Sequence, residues 1–215
     1  MYKKLLLVFV SVIAIQTAKA QTQKGSQMLG ASFGFSTSSS DSKPLDANTN
    51  TYGSNVHSKT TSYNVYPNYS YFIADNLDLG FTVGYGRSKQ ENTDNTGLQN
   101  LQKSHTFSAG AYLRKYVLYD NKIGIRTGPY VNYSYGKQET AYSYYATQYN
   151  YSNKIYAGGV GLDFVYFPVK KLGLAARLGN INYVYQTTDG SNKGTYKAFN
   201  LNFVDAVDFS VNYVF

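Results

Sequence analysis

Hydrophobic and polar residues alternate one by one at the C-terminal end of the chain. Val207, Phe209, Val211, Tyr213 and Phe215 fall on one parity, and Asp208, Ser210, Asn212 and Val214 on the other. A period of two gives a β-strand with one apolar and one polar face. The pattern returns upstream. Leu29, Ala31, Phe33 and Phe35 oppose Gly30, Ser32 and Gly34; Tyr63, Val65, Tyr69, Tyr71 and Ile73 form a second apolar row; Leu79, Phe81, Val83 and Tyr85 form a third, against Gly80, Thr82, Gly84 and Gly86. The fourth row is Phe107, Ala109, Ala111 and Leu113, the fifth Ile123, Ile125, Val131, Tyr133 and Tyr135, and the sixth Gly158, Val160, Leu162, Phe164 and Tyr166. A seventh begins with Leu172, Leu174, Ala176 and Leu178, then changes parity beyond Gly179 to Ile181, Tyr183 and Tyr185, which predicts a β-bulge. Pro129 lacks an N–H, so the fifth strand must bulge or go locally unpaired there. The eighth strand covers 197–215, and Asp205 on its apolar parity implies a second bulge or a rim position.

Connection lengths alternate as well. Tight turns at Ala74-Asp75-Asn76, at Tyr119-Asp120-Asn121 and over 168–171 separate four long polar stretches, 36–59, 88–104, 136–154 and 186–196. Strands with one greasy face, an even strand count and turns short on one rim and long on the other predict an all-β, eight-stranded antiparallel transmembrane β-barrel. Its turns are periplasmic, its long loops extracellular, and both termini lie on the turn side. Closure is required, because an open sheet edge in hydrocarbon leaves backbone groups unpaired.

The charged residues give an independent check. Arg114, Arg126, Asp163, Arg177 and Asp208 come from five strands, and each lies opposite the apolar face. Random parity would produce that agreement about 3% of the time, and a charge on the lipid face at mid-depth costs roughly 2–4 kcal/mol. These five are therefore expected to share the lumen as an ion network. Eight strands enclose just enough room for side chains, so the expected lumen is plugged rather than a wide channel, with a narrow pore as the alternative.

The segment Tyr71-Phe72-Ile73-Ala74-Asp75-Asn76-Leu77, the terminal Phe215 and the loop asymmetry together resemble the small outer-membrane β-barrels of the OmpA/OmpX type. The resemblance implies the bacterial outer membrane as location, with its lipid as surroundings. It makes Tyr213 and Phe215 the assembly signal read by the barrel-assembly machinery. Members include adhesion-type and resistance-type surface proteins, membrane anchors and a few lipid-modifying enzymes. A surface structural or binding protein with an extracellular protein or surface ligand as partner is the first expectation, and a lipid-modifying barrel enzyme the alternative.

Composition refines this picture. Residues 1–20 carry Lys3 and Lys4, an apolar run from Leu5 to Ile15 and Ala18-Lys19-Ala20, the layout of a secretory signal peptide cut near Ala20/Gln21. Removing its three lysines leaves 17 basic against 12 acidic residues, so the net charge of +8 falls to +5 over the barrel domain, 21–215. The absence of Cys excludes disulfides and thiolate sites. The mean hydropathy of −0.37 beside 24 Tyr suits a barrel, in which only alternate residues meet lipid.

Catalytic, metal and cofactor signals are thin. His57 sits among Asp46, Ser54 and Ser58 in a polar stretch, and both it and His105 read as solvated surface residues. The lipid A deacylases place a Ser two residues after a strand His; here that position is Phe107, so no catalytic residue is assigned. No metal or phosphate-loop motif occurs, no cofactor is expected, and no basic stripe suggests nucleic acid. The remaining signal is aromatic: Tyr142, Tyr144, Tyr145, Tyr149 and Tyr151 crowd one projecting stretch, which makes them the candidate binding surface.

Overall fold

The computed structural model describes residues 21–43, 45–46, 51–53, 55–94, 99–142, 148–190, 193–203 and 209–215. The leader sequence, Asp205 and Asp208 lie outside them. The strands are β1 (Gln27–Ser42), β2 (Leu45–Asp46), β3 (Thr51–Tyr52), β4 (Val56–Ala74), β5 (Leu77–Asp94), β6 (Gln99–Tyr119), β7 (Ile123–Tyr142), β8 (Gln148–Val169), β9 (Leu172–Asp189), β10 (Gly194–Phe203) and β11 (Phe209–Val214). Neighbours pair antiparallel from β1 through β4, β5, β6, β7 and β8 to β9, and β11 pairs with both β9 and β1, which closes the ring. β10 and β11 together make the eighth strand, while β2 and β3 form a separate small hairpin. The fold is an up-and-down barrel of eight strands.

The eighth strand closes unevenly. β10 pairs with β9 from Gly194↔Thr188 to Phe203↔Gly179, but its other edge joins no strand among the described residues. The seam to β1 runs through β11 alone, from Met28↔Val214 to Ala31↔Val211, extended by reciprocal backbone bonds between Gln27 and Phe215 at 2.8 and 2.9 Å.

Turn chemistry explains the tight end. Asp120 and Asn121 both take positive φ, 49° and 53°, the left-handed pair whose twist matches a two-residue hairpin. Asn76 at φ 59° does the same beside a register shift between Phe72 and Ala74. Asn and Asp tolerate this region because their short polar side chains bond locally. The segment before β1 folds back over the β4–β5 turn: Asn76 N–H donates to Thr22 O, Gly25 N–H to Phe72 O, and Lys24 N–H to an Asp75 carboxylate oxygen.

The polar stretches are mostly ladder rather than loop. β7 and β8 stay paired out to Ala141↔Gln148, β5 and β6 to Thr93↔Gln99, and β1 and β4 to Ser42↔Val56. The seven strands from β1 and β4 to β9 run 16 to 22 residues, whereas a tilted spanning strand needs about 9–11. The asymmetry read as long loops is carried by two-stranded ribbons that project beyond the apolar belt. Backbone pairing does not need an apolar face, so Ser, Thr, Asn and Lys continue the ladder where hydrophobic alternation stops.

Pro129, Pro67 and the parity change on β9 fall where the backbone dictates. Pro129 pairs with Val160 on its β8 side, while towards β6 the ladder is interrupted between Tyr112↔Tyr130 and Lys115↔Thr127 without a register shift. Pro129 is thus the locally unpaired site, not a bulge. Pro67 repeats the arrangement, paired to Ala31 and open between Val65↔Tyr85 and Asn68↔Thr82. On β9 the pairing steps from Leu162↔Gly179 to Asp163↔Arg177, which makes Leu178 the extra residue and accounts for the parity change.

Candidate functional site

The outer surface is built from the alternating apolar rows. Phe33, Phe81, Phe107, Val131, Val160 and Ile181 are all exposed, and Phe33 reaches 69%. At the hairpin end each row stops on an aromatic: Phe35, Tyr63, Tyr85, Phe107, Tyr135, Tyr156, Tyr185 and Phe199. Cross-strand register sets these side by side, with Phe35↔Tyr63, Tyr85↔Phe107, Phe107↔Tyr135 and Tyr156↔Tyr185 directly opposed. Ring contacts join them, 5.1 Å between Tyr85 and Phe107 and 6.3 Å both from Tyr63 to Tyr85 and from Tyr156 to Tyr185. The result is a girdle of aromatic rings between an apolar belt and the polar ribbons, and its five tyrosines have the apolar body and polar tip that suit this position.

The interior has two layers at the turn end. The inner layer is apolar: Met28, Phe72, Tyr116, Val165, Phe167, Ala175 and Val214 are buried against one another, and the rings of Phe72 and Tyr116 lie 5.5 Å apart. Alternation puts Val214 on the parity opposite the apolar row, and it does point inward, 4% exposed; the difference is that this end of the interior is apolar rather than wet. The signal was present, because Tyr71-Phe72-Ile73 and Phe164-Val165-Tyr166-Phe167 are continuous apolar runs, in which the outward residues are exposed on the belt while Phe72, Val165 and Phe167 are buried inside.

Beside this layer runs the ion belt. Arg126 Nε donates to Asp163 Oδ2 at 2.8 Å, and Arg177 Nε lies 3.6 Å from Asp163 Oδ1, so a single carboxylate on β8 is shared by arginines on both neighbouring strands. Arg114 pairs instead with Asp78, through Nη2 at 2.6 Å and Nε at 3.1 Å. Tyr116 donates to the same carboxylate at 3.2 Å, and the Arg114 guanidinium stacks over Tyr112, 3.8 Å from the ring centroid. Asp78, fully buried, is the residue the sequence reading missed. The parity rule that picked out Arg114 applies to it equally, since it stands between Leu77 and Leu79 on the inward face. The structure joins Arg126, Asp163 and Arg177, and it gives Arg114 a partner of its own. Asp208 lies outside the described residues.

Glycines make room for this filling. A Cβ on Gly80 would meet the Tyr112 ring and one on Gly84 the Tyr66 ring, so small inward positions leave space for large inward side chains from neighbouring strands.

Of the candidate binding tyrosines, Tyr151 is half-buried on the inward parity of β8 and pairs with Gln138. The backbones of Tyr142 and Tyr149 end β7 and begin β8; their rings, with Tyr144 and Tyr145, fall outside the described residues. Tyr213 and Phe215 stack with centroids 6.1 Å apart at the seam. His105 bonds the Tyr85 hydroxyl at 2.9 Å, and His57 meets Asp41 at 2.8 Å on the exposed ribbon. On the same ribbon surface a 2.7 Å bond from Lys89 holds the Glu91 carboxyl below the usual carboxylate range. No group of three His, Asp or Glu that could hold a metal occurs among the described residues.

The class these features define is a small closed antiparallel β-barrel with an apolar outer belt and a polar, ion-paired interior. No protein-family model matches the chain, and no curated protein matches it in sequence. Among solved structures it is similar to Ail, the attachment invasion locus protein of Yersinia pestis, at 12% identity and a TM-score of 0.42, covering 90% of this chain and all of that one. It is also similar to the transport unit of the Escherichia coli autotransporter AIDA-I (12%, TM-score 0.45, 94% and 82% covered). A third is a major outer membrane protein of Thermus thermophilus (12%, TM-score 0.44, 90% and 100% covered). Likenesses this loose transfer no activity or partner to the chain.

Proposed function

We propose that this chain is an integral protein of the bacterial outer membrane, with a plugged lumen, that acts at the cell surface as a structural or binding protein through its projecting ribbons. The observation that carries the membrane reading is the outer surface: on a closed ring, every strand presents an apolar row that ends on an aromatic and then turns polar. In water that belt would be a large exposed apolar patch of the kind that aggregates; in hydrocarbon it is solvated. The buried apolar layer at the turn end and the paired ions beside it support the plug. The ribbons support surface binding, since extended backbone can add a partner strand and Tyr offers large contact area at small entropic cost.

The test has two stages. The purified chain should insert into phospholipid vesicles and migrate on gels in a heat-modifiable way; failure to insert would remove the membrane reading. In cells, replacing 140–150 with a short Gly-Ser turn should leave the barrel inserted and abolish attachment to the partner surface. Unchanged attachment would eliminate this ribbon tip as the binding site, and lipid modification lost with His105→Ala would favour the enzyme alternative.

A further inference from the structure

The first outward position beyond the aromatic girdle has a composition of its own. Taken strand by strand from β1 through β4–β9 to β10, it is Thr37, Thr61, Arg87, His105, Lys137, Lys154, Thr187 and Lys197. Four permanent cations and a His fall within six consecutive strands of the ring, and no acid occurs in the row. Register makes it contiguous: Arg87 pairs with His105 and His105 with Lys137, and Lys154 pairs with Thr187, while Lys137 stands one same-face position beyond Tyr135, the partner of Lys154, and Lys197 stands opposite Tyr185, one same-face position short of Thr187.

The rows farther out are different. There Lys89 pairs with Glu91 at 2.7 Å, Lys103 stands opposite Glu139, and Lys193 lies 3.5 Å from Asp189. Arg87, Lys137, Lys154 and Lys197 have no carboxylate within ion-pair distance among the described residues. The Lys137 and Lys197 ammoniums instead lean towards the girdle, 6.0 Å from the Tyr135 ring and 5.8 Å from the Tyr185 ring. Like charges side by side on a sheet repel, and a row that keeps them unpaired gains from an anion lying between them. Around Lys154, Ser152, Thr187 and Thr195 bring hydroxyls to one shallow groove that the Lys193–Asp189 pair also lines, so Lys154 is the cation left unpaired there.

We infer that this arc binds the phosphate groups of a phosphorylated glycolipid headgroup in the leaflet on the ribbon side, with the β8–β10 groove taking the sugar. The inference rests on the membrane reading, which places the girdle at the boundary of the hydrocarbon, and hence the arc at the depth of the headgroup phosphates. Lysine stems there lie along the apolar surface while their ammoniums reach the anions. Hydroxyls from adjacent strands supply donors and acceptors for sugar hydroxyls.

The experiment uses the full chain in phosphatidylcholine nanodiscs doped with either a diphosphorylated glucosamine lipid or the same lipid dephosphorylated, with retained lipid counted by native mass spectrometry. The wild type should retain the phosphorylated lipid selectively. Each neutralised cation should weaken retention about fivefold, and the triple variant Lys137→Gln, Lys154→Gln, Lys197→Gln on the order of a hundredfold. The outer-row control Lys59→Gln, Lys89→Gln, Lys103→Gln should retain the lipid as the wild type does. Equal retention of the two lipids, a triple variant that binds like wild type, or a control that loses as much would each overturn the proposal. Single Lys154→Gln gives the same reading should the triple variant not fold. A chain that fails to insert even into plain phosphatidylcholine discs refutes the membrane reading; insertion without phosphate selectivity refutes this inference alone.

Discussion

Arg114 grips Asp78 with two guanidinium nitrogens inside the barrel, at 2.6 and 3.1 Å, while the Asp78 side chain is sealed from solvent. Breaking such a pair by removing one partner leaves a buried charge without compensation, which costs about 3–5 kcal/mol. Asp78→Asn should therefore lower stability by that amount in urea unfolding from vesicles. Replacing the group by apolar residues of similar size should be far milder. Because Tyr116 also donates to Asp78 at 3.2 Å, that comparison needs Asp78→Leu, Arg114→Leu and Tyr116→Phe together. A triple variant as unstable as Asp78→Asn would mean that the ions contribute net stability.

Gly128 lies where β6 and β7 approach without a ladder bond, one residue before Pro129. A Cβ there would strike the Leu113 carbonyl, which is backbone and cannot rotate away. Gly128→Ala should force the strands apart and cost about 1–3 kcal/mol, the range for overpacking. Gly161, whose added Cβ would meet nothing within 4 Å, is the matched control: Gly161→Ala should fold like wild type in the same unfolding series.

Much of this fold is legible in the sequence because outward-facing and lumen-facing residues obey a strict period. The outward rows, a parity change near Gly179 and the inward parity of Arg126 and Asp163 follow from it, while the turns at Asn76 and Asp120-Asn121 are marked by their own residues; the extra residue is Leu178, one position before that glycine. Three features escape this period. The inward apolar layer of Phe72, Phe167 and Val214 breaks alternation, since at those strand ends the outer row is apolar and the buried inner row is apolar too. The ribbons escape because Ser, Thr and Asn alternate with one another, leaving no contrast to read. Which ions pair depends on register: Asp78 meets Arg114, and Asp163 meets two arginines, only because the ladder sets those positions opposite one another.

The β1–β11 seam should be the first part of the ring to open. Its ladder covers four residue pairs, whereas β7 and β8 are paired from Ile123↔Tyr166 to Ala141↔Gln148. Hydrogen exchange in vesicles should be faster at Leu29 and Ala31 than at Val131 and Tyr133. Deleting Phe215 removes the two bonds to Gln27 and the ring stacked on Tyr213, so it should accelerate exchange along β1 and reduce the heat-modifiable form in cells. Equal exchange at all four sites, or normal levels of the deletion variant, would contradict this.

The turn-end layer makes the last prediction. Phe72 and Phe167 are the largest purely hydrocarbon side chains in it, and they are held from opposite sides of the ring: Phe72 from β4 against Tyr116 on β6, and Phe167 from β8 over Gly173 on β9, where an added Cβ would collide with its ring. With both in place, no path wide enough for hydrated ions is expected past the layer, and the protein in planar bilayers should give no stable conductance. Phe72→Ala with Phe167→Ala removes two rings that cannot be replaced by collapse of a hydrogen-bonded ladder, at about 3–5 kcal/mol each, so the variant must first be checked for heat-modifiable folding. If it folds, small conductance steps should appear. Ions would then pass Arg126, Arg177 and Asp163, and adding Arg126→Ala should shift the reversal potential towards cation preference by removing a fixed positive charge from the path. Stable steps in the wild type would show that the apolar layer does not seal the lumen. A folded double variant that stays silent would move the seal elsewhere, to the ion belt or to the Thr22–Gly25 segment folded over the turn.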